Sequence, residues 1–384
     1  MRRCELGPRA QAPVRFRCAA VRSVGTPQSK LQTFHPFPLP QQVYYAWDVL
    51  WIVGLLCCNY DMLKKCCSID RTKELRTVGK RADDIILEDS HVRIITKHAQ
   101  EARLARNSND GRFAIEKKEL IMGALENAAL PLRTFLNLPS SWSVPAADED
   151  KVDGILAEFR ANGSPEDLEC LEYVLHGKAG EQPRKWKNGV WDEGRNGEVL
   201  DDFLRHPNAV RAQLSRAHVL ALRLYTTAAY CSLNTPLRTM VKGGPAYLFP
   251  ITLSMIAEGI ALLRVLGQDR PTEVIELYRG MRNLESNDRF ESEGGTELAP
   301  MSTTTDIEVA TQYSMSPSSI IFVIRTENYM QRGADLSFLS AFPAEKEVLF
   351  PPRVYLCPTK RRQTIEVNGF RFCIIEVTPT YPKE

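Results

Sequence analysis

The 384-residue sequence has little net charge, no long uninterrupted apolar run and no cysteine framework. Its formal charge of +2 excludes a protein that binds nucleic acid through overall positive charge, so no nucleic-acid partner is expected. The apolar run from Val49 to Cys58 has ten residues and is too short to span a bilayer. The ten cysteines lack the C-x2-C spacing of common zinc sites and indicate a reducing compartment, which favours an intracellular protein.

The first 75 residues differ from the rest in composition. Residues 1–40 contain seven lysines and arginines, one acid and six prolines, which predicts a disordered segment or an organelle-targeting peptide, with a gene-model artefact as the open alternative. Residues 43–60 are apolar but interrupted by Asp48, and they predict a signal-anchor fragment, an interfacial helix or a buried helix. Membrane contact through residues 43–60 therefore stays open.

The order of the secondary-structure patterns predicts the fold class. Residues 76–200 form a predicted helical region, including a helix over 111–132, and contain no family motif that assigns them a role. Residues 201–384 begin with apolar helices, one of them predicted over 207–238, and continue after Gly267 with β-branched and aromatic runs. Helices followed by strands favour an α+β domain with a mainly antiparallel sheet over a doubly wound βαβ fold.

One face of a predicted helix carries the side-chain types that hold a nucleotide. In "LYTTAAYCSLNTPLR", Tyr230, Asn234 and Arg238 follow each other at intervals of four residues, and Tyr225 precedes them. An aromatic ring, an amide and a guanidinium can hold an adenine nucleotide by stacking, hydrogen bonding and phosphate charge. The alternative is a helix docked on the sheet with its tyrosines in the core.

Two further stretches place polar groups beside predicted strands. Arg279 ends an apolar strand and precedes Gly280, so the guanidinium can hold a phosphate that the glycine lets approach closely. The hydroxyl cluster Ser302, Thr303 and Thr304 stands before a predicted helix. Each stretch also has an ordinary structural interpretation, a charge at a strand end and a helix N-cap.

The stretch "AFPAEKEVLF" contains an acid pair, Glu345 and Glu347, entering a predicted strand. Alternate residues of a strand point to the same side, which would bring the two carboxylates onto one face and leave Lys346 solvated on the other. The spacing has little weight by itself, because Glu291 and Glu293 repeat it.

Taken in order, these stretches give the sequence a family resemblance. An arginine on a strand, Ser-Thr-x before a helix and Glu-x-Glu entering a strand resemble the mono-ADP-ribosyltransferases of the arginine-serine-glutamate class, over roughly residues 205–358. The "YT…Y…N…LR" helix looks like that family's nucleotide-facing helix. One departure is Thr304, because the usual middle motif is Ser-Thr-Ser.

The resemblance implies a fold, a reaction and a role for each candidate. The fold would be two packed sheets with an NAD cleft, in a catalytic domain over residues 201–384. The protein would be a monomeric NAD(P)+-protein-arginine ADP-ribosyltransferase, using NAD as co-substrate without a metal and acting on an acceptor protein that presents arginine. Glutamate at position 345 is the feature that points to arginine.

By the same resemblance, Glu347 stabilises the oxocarbenium-like ribose and Glu345 faces the acceptor, with Phe342 packed against the incoming arginine. Arg279 grips the pyrophosphate, and Ser302 braces the site by bonding Glu347. The remaining candidates are cofactor-binding residues: Tyr225, Tyr230, Asn234, Arg238, Gly280, Thr303 and Thr304. Two alternatives stay open, an NAD glycohydrolase on the same scaffold and an inactive nucleotide-binding or interaction module.

Overall fold

The computed structural model describes residues 86–106, 118–178, 180, 192–269 and 273–381. All of them belong to one compact unit, Tyr44–Glu384. The predictions for residues 1–75, including the apolar stretch 43–60, lie outside the described residues and stay predictions.

Helices dominate the described chain up to residue 269. The α-helices are α1 Asp89–Arg106, α2 Leu125–Ala129, α3 Leu132–Phe135, α4 Asp148–Asn162, α5 Pro165–His176, α6 Leu200–Arg205, α7 Pro207–Arg211, α8 Arg216–Tyr225, α9 Tyr230–Arg238, α10 Pro250–Arg264, α11 Asp288–Glu293 and α12 Ile307–Ser314. Helix α5 begins as its sequence predicts: the Ser164 hydroxyl accepts from Asp167 N at 3.2 Å, and the Asp167 carboxylate accepts from Ser164 N at 2.7 Å.

Ten strands are present in the described residues, and all but the first lie from Ile275 onward. They are β1 Lys118–Glu119, β2 Ile275–Arg282, β3 Leu284–Glu285, β4 Gly295–Glu297, β5 Met301–Thr304, β6 Ser318–Thr326, β7 Ala334–Asp335, β8 Glu347–Phe350, β9 Val354–Val367 and β10 Phe370–Thr380. Eight of them form a sheet in the order β4-β9-β10-β6-β2-β5-β8-β7, and β1 pairs with β3. The eight-stranded sheet is antiparallel except between β6 and β10, so the α+β prediction is confirmed.

The eight-stranded sheet consists of two parts that pack face to face. Strands β2 and β5 pair at a single position, Tyr278 with Thr304, so the sheet nearly separates there. One hydrophobic cluster lies between the parts and includes Leu277 and Phe322 from the first and Val348 and Phe350 from the second. The two packed sheets that the resemblance implies are therefore two parts of one hydrogen-bonded sheet.

Helices cover the outer faces of both parts. Helices α1 and α12 lie on the five-stranded part, where Ile95 and Ala310 pack against Ile321. Helices α4 to α10 share a second cluster with Leu349 of the three-stranded part. The described residues between 86 and 200 thus contribute to the same core as the later part of the chain, and the boundary at residue 200 stays a prediction.

Helix α10 with the 3-10 turn that follows it, Pro250–Asp269, has the length and composition of a membrane-crossing helix. A core helix of the kind seen here satisfies the same criteria, since Leu253, Ile256 and Ile260 are buried in the helical cluster. This segment is therefore weak evidence for membrane insertion.

Two helix predictions are correct only in part. Residues 118–124 hold strand β1 and a bridge from Gly123 to Thr296 because tertiary pairing overrides their helical propensity, and Leu120 is buried in the core between the sheet parts. The predicted helix over 207–238 is divided into α7, α8 and α9. Between α8 and α9 the Thr227 hydroxyl donates to Leu224 O at 2.6 Å and accepts from Ala229 N at 3.3 Å, which replaces helical bonds.

Candidate active site

A pocket opens where helices α8 and α9 face the junction between the two sheet parts. Eight of the predicted site residues line it, together with Thr226 and Pro300, which the sequence analysis missed. The eight are Tyr225, Tyr230, Asn234, Arg238, Arg279, Ser302, Phe342 and Glu347. Residues separated by up to 122 positions in the sequence are therefore neighbours in the fold.

Glu347 is the first residue of β8 and is 6% exposed. Val348 points into the core between the sheet parts, so Glu347 faces the helices and the pocket, as the alternation of a strand requires. Burial raises the pKa of Glu347 to about 7, while a hydrogen bond from Ser302 and the charge of Arg279 act in the opposite direction and favour the carboxylate. Ser302 therefore contacts the residue that it is predicted to brace, and the bracing role stays a prediction.

Arg279 was predicted to end a strand, but it lies inside β2. It sits beside the single pair that joins the two sheet parts, where the ladder between β2 and β5 stops. Its Nη1 donates to Ser302 O at 2.7 Å, which connects β2 to β5 beside that pair. The guanidinium is therefore fixed at the junction.

Glu297 connects the two arginines of the pocket. Its Oε1 accepts from Arg238 Nε at 3.1 Å and from Ala299 N at 3.2 Å, and its Oε2 lies 3.9 Å from Arg279 Nη2. Both arginine side chains are thus oriented by one carboxylate on β4. The sequence analysis missed Glu297, because "GGTELAP" has no pattern that marks it.

Tyr225 and Asn234 form a buried pair made possible by the break between α8 and α9. The Tyr225 hydroxyl donates to Pro300 O at 3.1 Å and accepts from Asn234 Nδ2 at 3.0 Å. Burial raises the pKa of Tyr225 well above its usual value, so the phenol stays protonated. Within the described part of the chain, Asn234 Oδ1 is a buried acceptor without a hydrogen-bond partner.

The two remaining aromatic candidates present rings to the pocket. Tyr230 meets Tyr225 edge to face, with ring centroids 6.4 Å apart. Phe342 is half-buried against the helical cluster at the other side of the pocket. Both rings are therefore placed by core packing while they contribute to the lining.

Glu345 belongs to the 3-10 turn Pro343–Glu345 and not to a strand, so the acids do not share a strand face. It lies outside the pocket lining, and its Oε1 accepts a hydrogen bond from the Tyr313 hydroxyl. Burial, followed by the negative charges of Glu347 and Glu193, raises the pKa of Glu345 to about 8 despite this bond. Lys346 is left-handed at φ 49° and bonds Asp306 at 3.1 Å, so the prediction that it is only solvated was wrong.

The two threonines of the hydroxyl cluster support the frame of the site. They lie on β5, and the helix that follows is capped by Asp306, whose carboxylate accepts from Glu308 N at 3.0 Å. The Thr303 hydroxyl donates to Val348 O and the Thr304 hydroxyl to Glu345 O, both at 2.7 Å. The N-cap is therefore Asp306 and not a member of this cluster, so the N-cap interpretation is wrong. Thr303 connects β5 to Val348, and Thr304 connects it to the backbone of Glu345.

Gly280 admits a helix where the sequence analysis expected a ligand. A Cβ on this residue would lie 1.8 Å from Ala310 O, in the backbone of α12. The glycine is therefore required for close packing of α12 on β2, which is a different reason from the predicted approach of a phosphate.

The described residues contain no group of three or more His, Cys, Asp or Glu side chains that could hold a metal ion. The polar residues that line the pocket are two arginines, a buried glutamate, an asparagine and four hydroxyl-bearing residues, Tyr225, Thr226, Tyr230 and Ser302. Guanidinium groups suit phosphates, and a buried carboxylate suits a developing positive charge.

This arrangement has a counterpart among known families. Residues 205–378 match the model of the ADP-ribosyltransferase exoenzyme family. The match covers slightly less than half of the chain and contains all twelve predicted site residues. We refer to residues 205–378 as the matched region. No curated protein sequence matches the chain significantly.

Several solved structures resemble the chain at low identity. A mutant of the eukaryotic mono-ADP-ribosyltransferase ART2.2 in complex with NAD has a TM-score of 0.40 at 15% identity, covering 62% of this chain and 87% of its own. The ADP-ribosyltransferase HopU1 of Pseudomonas syringae pv. Tomato DC3000 has a TM-score of 0.36 at 17% identity, covering 55% and 96%. Vis toxin from Vibrio splendidus has a TM-score of 0.32 at 19% identity, covering 53% and 89%. Similarity at this level carries no information about the substrate.

Proposed function

We propose that this protein transfers ADP-ribose from NAD to arginine side chains of acceptor proteins and releases nicotinamide. The observation that carries the proposal is the position of Glu347, a buried carboxylate bonded by Ser302 and facing a pocket that also contains Arg279. The match of residues 205–378 to the ADP-ribosyltransferase exoenzymes supports the same reaction.

Glu347 supplies the charge that the reaction needs. As the nicotinamide–ribose bond breaks, positive charge develops on the ribose, and a fixed carboxylate stabilises this charge more in the transition state than in the ground state. The carboxylate has to be ionised, and Ser302 and Arg279 both favour that form against the effect of burial. The cleft therefore acts by electrostatic stabilisation, as a glycosidase does.

The remaining lining residues suit a dinucleotide. Arg238 and Arg279, both oriented by Glu297, offer guanidinium groups to the pyrophosphate. The buried acceptor Asn234 Oδ1 lacks a donor, and a ribose hydroxyl or an amide of the substrate can supply one. Tyr230 and Phe342 provide aromatic surfaces for the rings.

The proposal that arginine is the acceptor rests on Glu345. An arginine guanidinium keeps its protons near neutral pH, so a carboxylate can accept one only while the new nitrogen–ribose bond forms. Burial raises the pKa of Glu345 to about 8, which makes this carboxylate a stronger base than an exposed glutamate. A carboxylate also attracts the guanidinium by charge, with Phe342 as a surface for it to stack on.

The second candidate function is an NAD glycohydrolase, in which water replaces the arginine. One observation favours it: Glu345 lies outside the pocket lining, and its carboxylate is bonded to Tyr313. In that case Glu347 would act as described and Glu345 would have no part in the reaction.

A single experiment separates the two functions. The purified full-length chain is incubated with NAD labelled in its ADP-ribose and with polyarginine, and nicotinamide release and labelled polyarginine are both measured. The full chain is used because residues 148–176 share a hydrophobic core with the matched region, residues 205–378. The transferase predicts label on polyarginine, whereas the glycohydrolase predicts nicotinamide release without label.

Two variants complete the design. Glu345→Gln should reduce labelling of polyarginine to a small residual rate and leave slow NAD hydrolysis, and Glu347→Gln should lower both rates about 1000-fold. A matched control is Glu293→Gln, which changes an exposed acid from the pair with the same spacing, outside the pocket lining. Absence of nicotinamide release by the unmodified chain would contradict both functions.

A further inference from the structure

Tyr313 is a polar residue beside the active site with no role in the reaction as described so far. It lies in the last turn of α12, eleven residues after Ser302, and its hydroxyl donates to Glu345 Oε1. The end of α12 is held by Arg282, whose Nε donates to Tyr313 O at 2.8 Å and whose Nη2 donates to Gln312 O at 3.0 Å. The phenol is therefore presented to Glu345 from a fixed helix end.

The segment that contains Tyr313 also holds the backbone of the turn. The Thr304 hydroxyl donates to Glu345 O at 2.7 Å, and Lys346 bonds Asp306 at 3.1 Å. Residues 304–313 thus contact the turn at three points: the backbone carbonyl of Glu345, the side chain of Lys346 and the carboxylate of Glu345. Thr304 and Lys346 locate the turn, and Tyr313 orients the carboxylate.

Tyr313 can only act as a donor in this contact. Burial and the neighbouring charge of Glu345 raise its pKa far above that of a free tyrosine, so the phenol keeps its proton near neutral pH. It therefore cannot be the base that accepts a proton from the acceptor. Its contribution is to hold one oxygen of Glu345 and to favour the ionised carboxylate.

We propose that Tyr313 is a positioning residue for the acceptor step, which orients the Glu345 carboxylate before the acceptor arrives. The inference rests on the proposed transferase function. In that step the acceptor nitrogen bonds to the ribose carbon, nicotinamide leaves with the electron pair of its own bond, and the acceptor proton passes to Glu345. The Tyr313 proton stays on the phenol throughout.

The charges around Glu345 determine how the step depends on pH. Glu347 on β8 and Glu193 before α6 raise the pKa of Glu345, and the Tyr313 bond lowers it. Arg282 faces Tyr313, and the pair of Lys346 and Asp306 adjoins the turn. Removing the phenol oxygen should therefore shift the pH dependence of transfer to higher pH.

The test is Tyr313→Phe in the full-length chain, which keeps the ring and removes the hydroxyl. Transfer to polyarginine and NAD hydrolysis are measured between pH 6 and 10, with thermal unfolding as the check on folding. We expect kcat for transfer to fall about 10- to 100-fold, as for loss of a hydrogen bond to a charged group, with KM for NAD and the rate of hydrolysis little changed. Tyr355→Phe is the matched control, since its phenol bonds Glu293 O away from the pocket.

A double-mutant cycle keeps the inference falsifiable if the variant is less stable. In a Glu345→Gln background, Tyr313→Phe should cause no further loss of transfer, and additive losses would overturn the proposed positioning role. An unchanged rate and pH profile in Tyr313→Phe, alongside an active unmodified chain, would also overturn it while leaving the transferase function intact. If the unmodified chain labels no polyarginine, the transferase function fails and the inference fails with it.

Discussion

Two acid pairs with the same spacing occur in this chain, and the fold treats them in opposite ways. Glu291 and Glu293 lie on α11 and bond to Arg362 and Arg289, with the side chain of Glu293 68% exposed. Glu345 and Glu347 lie where α12 and the two sheet parts meet, and burial raises the pKa of both. Burial, and not spacing, therefore makes the second pair suitable for catalysis.

Glu345 and Glu347 also differ from each other in backbone conformation and in hydrogen-bond partner. Glu347 begins a strand and is bonded by Ser302, whereas Glu345 ends a 3-10 turn and is bonded by Tyr313. Neighbours in sequence thus have different backbone conformations and different partners. This difference is the structural basis for proposing two roles.

The largest expected effect is that of Glu347→Gln, and the same exchange of carboxylate for amide at Glu293 in the other pair is its control. Glu347→Gln should lower the rate of nicotinamide release about 1000-fold, because the amide cannot stabilise the positive charge on the ribose. Glu293→Gln should leave the rate within about twofold, since Glu293 is exposed and lies outside the pocket lining. Nicotinamide release under saturating NAD measures both, and comparable losses in the two variants would contradict the contrast.

The packing that buries the second pair can be broken at Gly280. Gly280→Ala would place a Cβ 1.8 Å from Ala310 O and push α12, which carries Tyr313, away from β2. We expect the free energy of unfolding to fall by about 3 kcal/mol, as for an overpacked core. Chemical denaturation measures it, and Gly243→Ala, where no atom lies within 4 Å of the added Cβ but φ is +76°, separates steric overlap from backbone strain.

The pH dependence should distinguish Glu345 from Glu347. Both pKa values are raised, so each carboxylate is protonated at low pH and ionises only as the pH rises through about 7 for Glu347 and about 8 for Glu345. Nicotinamide release should therefore rise with pH around 7, and transfer to polyarginine should continue to rise up to about pH 8. Rates between pH 5.5 and 9.5 test this, and profiles that coincide would argue against separate roles.

The smallest effect is expected at the exposed pair. Glu291→Gln removes a partly exposed ion pair with Arg362, for which double-mutant cycles on similar pairs give about 0.2–1 kcal/mol. The free energy of unfolding should therefore change by less than about 1 kcal/mol, and less at high salt. Denaturation at low and high ionic strength measures it, and a larger loss would show that the exposed pair is structurally important.

Much of the site could be predicted because its residues occur in short local patterns. Tyr230, Asn234 and Arg238, spaced at intervals of four residues, lie on one helix, α9, and all three line the pocket. Glu297 and Tyr313 could not be predicted, since each acts through a partner far along the chain, Arg238 and Glu345. Gly280 was predicted to lie against a phosphate, but it packs against the backbone of α12. This contact could not be predicted either, because it depends on how distant segments pack.

The sequence by itself determined the fold class and the side chains available for catalysis, because helical and strand periodicities and residue types are local properties. The tertiary structure decided which of these side chains meet, which acids are buried and which hydroxyls are used in the frame. The pKa of a carboxyl depends on the solvent and charges around it, and these come from segments that the chain order does not bring together. Two pairs with identical spacing therefore became a surface feature and a candidate catalytic centre.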